Sequence, residues 1–316
     1  MKIVVLDGYT LNPGDLSWHG FESLGDFHCF ERTAAPLVLE RAHDADIILT
    51  NKTELNADTL AMLPCVRYIG VLATGTNVVD INAAAARGIA VTNVPGYGPD
   101  AVAQMVFAHI LHHTQKLAEH HQAVIAGGWS QSADFCFTLS PLQSLKGKTL
   151  GLIGYGDIGR QVASIARAFQ MQVLVSTPQP KTDLPTGVSW CELNMLYQQA
   201  DIISLHCPLT PETDKMINAA SLAKMKPNAL LINTARGGLV DEAELAHALN
   251  EGAIRAGVDV LSSEPPAVDN PLITASNISI SPHNSWATRE ARQNLMDIAL
   301  SNLTGYLSGK PINRVS

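Results

Sequence analysis

Three residues in the last third of the chain combine a cation, a carboxylate and an imidazole, each just past a short β-rich run. Arg236 follows Leu231-Ile232-Asn233-Thr234-Ala235, Glu264 follows Asp259-Val260-Leu261-Ser262-Ser263, and His283 follows Ser279-Ile280-Ser281-Pro282. Ligands of open α/β sheets bind outside the carboxyl ends of strands, so the three side chains are expected on one rim. The set suits hydride transfer to a 2-keto acid, which needs a fixed carboxylate, a polarised carbonyl and a proton donor. A forked guanidinium grips carboxylate and carbonyl oxygens. An imidazole, with a reference pKa near ~6.5, cycles its proton at neutral pH. A carboxylate beside it favours imidazolium and orients the ring. Taken singly, each residue has an ordinary structural reading: a surface ion pair, a Glu-Pro turn, a Pro-His lead into a helix. Their shared placement singles them out.

A hydride needs a carrier, and the sequence offers a place for one. Gly154, Gly156 and Gly159 form G-x-G-x-x-G between the apolar run Thr149–Ile153 and a helical stretch from Asp157 to Phe169. That context reads as a dinucleotide turn. Gly154 permits the tight turn, Gly156 lets backbone approach a pyrophosphate, and Gly159 lets helix and strand pack closely. The amides of Asp157 and Ile158 face the anion at the positive end of the helix. About 20 residues on, an acidic residue would hold the adenosine ribose. Thr177 stands there instead, beside Ser176, with Lys181 nearby and no arginine. NAD and NADP both remain open.

The elements that must position these groups repeat as strand then helix. Runs at Lys2–Leu6, Asp46–Leu49, Val66–Val71 and Ala90–Asn93 precede a break at Pro95-Gly96-Tyr97-Gly98-Pro99. One long helix is predicted from Asp100 to Ala126, with Val102, Met105, Val106, His109, Ile110 and Leu117 on one side. After a loop from Gly127 to Lys146, strands are predicted at Thr149–Ile153, Gln172–Ser176, Asp201–Leu205, Ala229–Asn233, Gly257–Val260 and Ile278–Ser281. That layout describes a doubly wound domain. A last helix, Trp286–Leu307, is expected to return to the first domain. The predicted fold is α/β with two parallel-sheet domains. Residues 1–98 and 285–316 form a discontinuous flavodoxin-like substrate domain, and residues 99–284 form an inserted Rossmann cofactor domain.

Composition narrows the function classes. The 316 residues suffice for about two domains, and 46% of them are hydrophobic. A net charge of −8 argues against general affinity for nucleic acid or anionic lipid. No apolar run is long enough to span a membrane, and MKIVVLDGYT reads as a first strand, so a cytoplasmic location is expected. Cys29, Cys65, Cys136, Cys191 and Cys207 are odd in number and lack a C-x-x-C pair, which suggests buried free thiols. His109, His112, His113, His120 and His121 read as a partly exposed helical face, and no metal is expected. Cys207 reads as a structural or cofactor-adjacent residue and not as a nucleophile.

The chain resembles the D-isomer-specific 2-hydroxyacid dehydrogenase family over nearly its whole length. The resemblance rests on Gly154-Tyr155-Gly156-Asp157-Ile158-Gly159-Arg160, Leu205–Thr210, Asn233–Asp241, Asp259–Pro266 and Ser281–Thr288, in matching order and spacing. It places the family's catalytic residues on Arg236, Glu264 and His283. It implies a substrate loop at Val71–Asn77, whose amides at Ala73, Thr74 and Gly75 help hold a carboxylate, with Trp286, Arg236 and His283 also meeting substrate. It implies that Asp259 meets the nicotinamide carboxamide and that His206, Cys207, Pro208, Thr234, Ala235, Arg236 and His283 lie along the cofactor. It further implies closure between the domains and a homodimer formed through the cofactor domain.

Gly96-Tyr97-Gly98, Ala101–Gln104, Trp129 and Trp286 look like the branch of glycerate dehydrogenases and hydroxypyruvate or glyoxylate reductases. The expected substrate is therefore a small anionic D-2-hydroxy acid or its 2-keto acid. Thr177 departs from the usual acid, and the chain stops at Ser316 without room for a regulatory domain. Two other readings stand beside the enzyme. One is a corepressor-like module that senses NAD(P). The other is a formate or phosphite dehydrogenase of the same fold.

Overall fold

The computed structural model describes residues 1–316. The chain divides into two compact units, Met1–Gly98 with Trp286–Ser316, and Pro99–Ser285. Ser285 falls in the second unit, one residue past the expected 284, and its N–H donates to Asp259 Oδ2 at 3.0 Å.

The first unit carries five parallel strands: β1 (Lys2–Val5), β2 (Asp26–Cys29), β3 (Ile47–Thr50), β4 (Tyr68–Val71) and β5 (Ala90–Thr92). They are ordered β2-β1-β3-β4-β5, the flavodoxin-like arrangement. β3 and β4 are buried at every position, as expected of central parallel strands covered on both faces. β2 was not legible as a strand. Its Asp-Phe-His-Cys sequence has no apolar run because it lies at the edge, with three of its four residues exposed. The Arg289–Leu307 helix buries Leu295, Met296, Ala299 and Leu303 with Ile3, Val5, Ile47 and Leu49, in the expected return to this unit. Arg292 on that helix clasps both Asp15 oxygens, at 2.7 and 2.6 Å, and donates to Leu11 O at 3.0 Å.

The second unit carries seven parallel strands: β6 (Thr149–Ile153), β7 (Gln172–Ser176), β8 (Val188–Trp190), β9 (Ile202–Leu205), β10 (Leu230–Asn233), β11 (Arg255–Val258) and β12 (Ile278–Ile280). Their order is β12-β11-β10-β9-β6-β7-β8. The order reverses between β6 and β9, which makes their carboxyl ends the topological switch point. β8 is a further edge strand that periodicity missed. Core residues fill both faces of this sheet, with Val106, Phe107, Ile110 and Val162 on one side and Leu196, Leu239, Leu245 and Leu249 on the other.

The long helix predicted over Asp100–Ala126 is two helices, Pro99–Gln115 and Leu117–Ile125. Lys116 takes a left-handed conformation, φ 51°, between them. The second helix buries none of its residues, and Leu117 is 77% exposed. No core face therefore holds it in line with the first helix.

Candidate active site

The glycine turn is shaped by contacts that exclude side chains. Gly154 has φ +98°, and a Cβ there would lie 2.5 Å from His206 O and 2.9 Å from Cys207 N. The turn therefore lies against the backbone that leaves β9. A Cβ on Gly159 would lie 2.7 Å from Gly154 O, so the helix packs directly on the turn. A Cβ on Gly156 would meet nothing within 4 Å. That side opens outward, and no side chain caps the Asp157–Ala168 helix. Uncapped first-turn amides beside an open glycine fit a pyrophosphate.

The end of β7 is more closed. Ser176 is buried, and its carbonyl accepts from Gly154 N at 2.9 Å. Thr177 Oγ1 donates to Gln179 O at 2.6 Å, tying down the turn in which the ribose-binding acid would stand. Lys181 is exposed. Beyond β9, His206 Nε2 bonds Ser204 Oγ at 2.9 Å, and burial pushes the imidazole down to about 4, so it is neutral at pH 7. Cys207 Sγ packs 3.8 Å from Met216 Sδ, and burial pushes its thiol up. A raised thiol pKa makes a poor nucleophile. Pro208, next in the chain, is exposed and accepts a bond from Thr213 Oγ1 at 2.7 Å.

Beyond β10, Asn233 shapes the turn from inside. Its Oδ1 accepts from Ala235 N at 3.1 Å, and its Nδ2 donates to Arg236 O at 2.9 Å. Thr234 is buried, and its Oγ1 has no partner within the chain. A buried hydroxyl without a partner costs about 1–3 kcal/mol, and a nicotinamide bound at this strand end would supply one. The residues present thus fit such a cofactor at both ends. Arg236 is exposed, forms no ion pair with any carboxylate of the chain, and donates only to Ala235 O, at 2.7 Å. A Cβ on Gly237 would lie 2.0 Å from the Leu261 carbonyl carbon, so this turn presses on the loop that leads to Glu264.

Glu264 and His283 meet. Glu264 Oε2 lies 2.5 Å from His283 Nδ1, and Glu264 Oε1 accepts from Leu261 N at 3.1 Å. An ionised carboxylate only accepts, so Nδ1 carries a hydrogen and proton exchange falls to Nε2. Both side chains are about one-third exposed, at 33% and 29%. His283 has φ 50°, a left-handed conformation that costs a non-glycine residue about 1–3 kcal/mol. It is held there by its own N–H, which donates to Asp259 O at 2.7 Å.

Asp259 is the anchor of that loop. It is 1% exposed; Oδ1 accepts from Ser281 Oγ at 2.6 Å and Asn284 N at 3.0 Å, and Oδ2 accepts from Ser285 N. The resemblance pointed only to a cofactor contact for Asp259. Its role in fixing the His283 backbone was missed, although its place at the end of β11 gave the signal. Glu242 was also missed. It holds Ser262 N at 2.6 Å and Asn270 Nδ2 at 2.7 Å, fixing the far side of the Glu264 loop.

In the first unit, Ala73 and Gly75 are half-buried, and Thr74 is exposed. Thr74 Oγ1 donates to Val94 O at 2.8 Å, and Ala73 O accepts from Val94 N. The N–H groups of Ala73, Thr74 and Gly75 donate to no other group of the chain. Asp7 and Asn51, which sequence patterns did not single out, support this loop. Asp7 accepts the amides of Asn51, Lys52 and Thr53, and Asn51 Nδ2 donates to Leu72 O at 2.5 Å. Trp286 packs edge-on against Tyr97, with ring centres 6.2 Å apart.

Two expectations need correction. Cys29, Cys65 and Cys136 are exposed and only Cys191 is fully buried, so low polarity did not place the thiols inside. His109 and His113 are buried at 5% and 8% exposure and do not belong to an exposed helical face. Gly257 on β11 makes the room: a Cβ there would lie 2.7 Å from His109 Cβ.

Comparison with known proteins agrees with this geometry. Residues 107–285 match the family described as "D-isomer specific 2-hydroxyacid dehydrogenase, NAD binding domain". A hydroxypyruvate reductase from Blautia hydrogenotrophica is 46% identical over 321 residues, covering 100% of both chains. A glycerate dehydrogenase from Methylorubrum extorquens is 40% identical, covering 99% of this chain and 98% of its own. Among solved structures, an acyclic imino acid reductase, Bsp5, in complex with NADPH and D-Arg, superposes with a TM-score of 0.86 at 30% identity, covering 100% of both chains. A family match over more than half the chain, together with these relatives, shows that the chain belongs to the D-isomer-specific 2-hydroxyacid dehydrogenase family.

Proposed function

We propose that the chain interconverts a small 2-keto acid and its D-2-hydroxy acid, with hydroxypyruvate or glyoxylate as the keto acid. The observation that carries this reading is the His283–Glu264 pair at 2.5 Å, beyond the same sheet that carries the glycine turn. A bound nicotinamide supplies or accepts the hydride. In the direction of reduction, protonated His283 gives its Nε2 proton to the carbonyl oxygen as negative charge develops there. Glu264 fixes the ring through Nδ1 and stabilises the positive form. Arg236, uncommitted to any carboxylate of the chain, offers its fork to the carboxylate and carbonyl of the substrate. In the first unit, the amides of Ala73, Thr74 and Gly75 are candidate donors to a carboxylate, and Trp286 is a candidate substrate contact. The cofactor contacts assigned to Gly154, Gly156, Asp157, Ile158, Gly159, Ser176, Thr177, His206, Cys207, Pro208, Thr234, Ala235 and Asp259 belong to this reading.

The nicotinamide can be NAD or NADP, because Thr177 neither repels a 2′-phosphate nor holds a ribose as an acid does. A homodimer and a cytoplasmic location belong to the reading as well. Exposed Leu117, Ile125, Trp129 and Phe135 in the second unit support association. Exposed thiols at Cys29, Cys65 and Cys136 support a reducing compartment. No helix is long and apolar enough to cross a membrane. The corepressor and the formate or phosphite readings are not favoured, since the relatives described above carry hydroxypyruvate reductase and glycerate dehydrogenase names.

The test mixes the purified protein with hydroxypyruvate or glyoxylate and with NADH or NADPH, and follows the loss of reduced-nicotinamide absorbance. Rapid loss with at least one pair is expected. No loss with any of the four pairs contradicts the proposed substrate.

A further inference from the structure

A line of polar side chains, buried at His109, His113 and Asp259 and part-buried at Ser279 and Ser281, runs beneath the His283 loop, and nothing in the chemistry above assigns it a role. His113 Nε2 lies 3.0 Å from Ser279 Oγ, and Ser279 Oγ lies 2.7 Å from His109 Nδ1. His109 Nε2 lies 3.1 Å from Ser281 Oγ, and Ser281 Oγ lies 2.6 Å from Asp259 Oδ1. Two histidines from the Pro99–Gln115 helix thus reach two serines at the end of β12, and the second serine reaches the carboxylate that fixes the catalytic loop. A core contact between helix and sheet needs none of this polarity. Leucine and alanine would fill the space at lower desolvation cost.

Counting hydrogens gives the line a direction. Asp259 is an acceptor, so Ser281 Oγ donates to it. With its only hydrogen used, Ser281 Oγ accepts from His109, which puts a hydrogen on Nε2. Burial and the neighbouring His112 lower the His109 pKa against the opposing pull of Asp259, so the ring is neutral and Nδ1 is bare. Ser279 Oγ therefore donates to Nδ1, and the His113 ring, which also meets the Ala256 backbone, lies against the same hydroxyl. His113 is pushed down to about 4 by burial, with His112, Arg255 and His109 as the charged or titratable neighbours that add to the shift. From Ser279 through His109 and Ser281, each hydrogen points toward Asp259.

We propose that His109 is a positioning residue for His283: it orders the Ser281 hydroxyl onto Asp259, and Asp259 holds the backbone that keeps His283 in its left-handed conformation. The links are short and each is a single bond: Ser281 Oγ to Asp259 Oδ1, then Asp259 O to His283 N at 2.7 Å and Asp259 Oδ1 to Asn284 N at 3.0 Å. Ser281 is also two residues before His283 in the chain. Its carbonyl accepts a second, 3.0 Å contact from His283 N. Losing the order at Ser281 loosens the His283 ring against Glu264, and catalytic groups displaced by about an ångström cost orders of magnitude in rate.

The proposal rests on His283 as the proton donor, and the test separates the two ideas. The variants His109→Gln and His109→Asn are compared. A glutamine amide reaches the Nε2 position and keeps a donor for Ser281, whereas an asparagine amide reaches only the Nδ1 position. The expected result is a kcat within about threefold of wild type for His109→Gln, and a loss of about tenfold or more for His109→Asn, with the keto acid KM little changed in both. Melting temperatures of the two variants should match. Equal losses in both, or no loss in either, overturn the proposal.

Histidine-selective ¹⁵N NMR gives the readout that does not need turnover. In the wild type, above about pH 7, the His109 ring should be neutral with hydrogen on Nε2. The His283 ring signals should move in His109→Asn and stay in place in His109→Gln. A hydrogen on Nδ1 alone, an imidazolium, or His283 signals indifferent to both variants overturns the proposal even if the wild-type protein reduces no 2-keto acid.

Discussion

The rim and the floor of the second sheet use histidine in opposite ways. At the rim, His283 is about one-third exposed, and one ring nitrogen is committed to a carboxylate. On the floor, His109 and His113 are buried and bonded to serine hydroxyls. In the proposed reaction the same side chain exchanges protons in one place, and it is fixed as a neutral hydrogen-bonding group in the other. Solvent and the partner decide which. A carboxylate beside the ring can balance a positive charge, whereas two part-buried hydroxyls bring no counter-charge.

The sharpest way to break this comparison is to remove the rim histidine. His283→Ala should lower kcat about 10²- to 10⁴-fold while leaving the melting temperature near wild type. Steady-state reduction of hydroxypyruvate and a thermal melt check both halves. A variant with full turnover contradicts the rim assignment. Arg236→Lys keeps the charge but loses the fork, and should cost about 10²- to 10³-fold in kcat/KM, much of it in the keto acid KM.

The floor should respond to acid through stability instead. His113 is pushed down to about 4 in the folded chain, so below the unfolded value near ~6.5 the unfolded chain binds the extra proton. Stability present above ~6.5 is lost as pH falls toward about 4, by at most about 3 kcal/mol from this residue. Urea unfolding between those pH values should show it, and His113→Gln should flatten the slope. A wild-type curve with no slope there would place a charged histidine on the floor and erase the contrast. The smallest effect is expected at the far end of the rim. Thr177→Asp should shift preference toward NADH over NADPH by about tenfold, as a carboxylate repels a 2′-phosphate and binds ribose hydroxyls. The ratio of kcat/KM values measures it.

The rim was legible in the sequence because its features are local. A strand that runs into Gly154-Tyr155-Gly156 and an Arg, Glu or His just beyond a strand are read along the chain, and β6 and β7 begin and end where periodicity puts them. The floor was not legible because it depends on a neighbour across the fold. His109 is buried since Gly257, nearly 150 residues away, leaves space for its ring. The edge strands β2 and β8 were missed for a related reason. Half-exposed, they need no apolar run, so the pattern that reveals central strands is absent. The break at Lys116 had no glycine or proline to announce it.

The central claim is that His283, oriented by Glu264, gives the proton in reduction and takes it in oxidation. The most direct test measures kcat/KM against pH in both directions on the same enzyme. Reduction should decline as pH rises and oxidation should decline as pH falls, because one needs imidazolium and the other needs imidazole. Glu264→Gln should lower kcat in both directions, since the partner that orients the ring through Nδ1 is weakened. Limbs that run the same way in both directions, or full turnover in Glu264→Gln, would contradict the account.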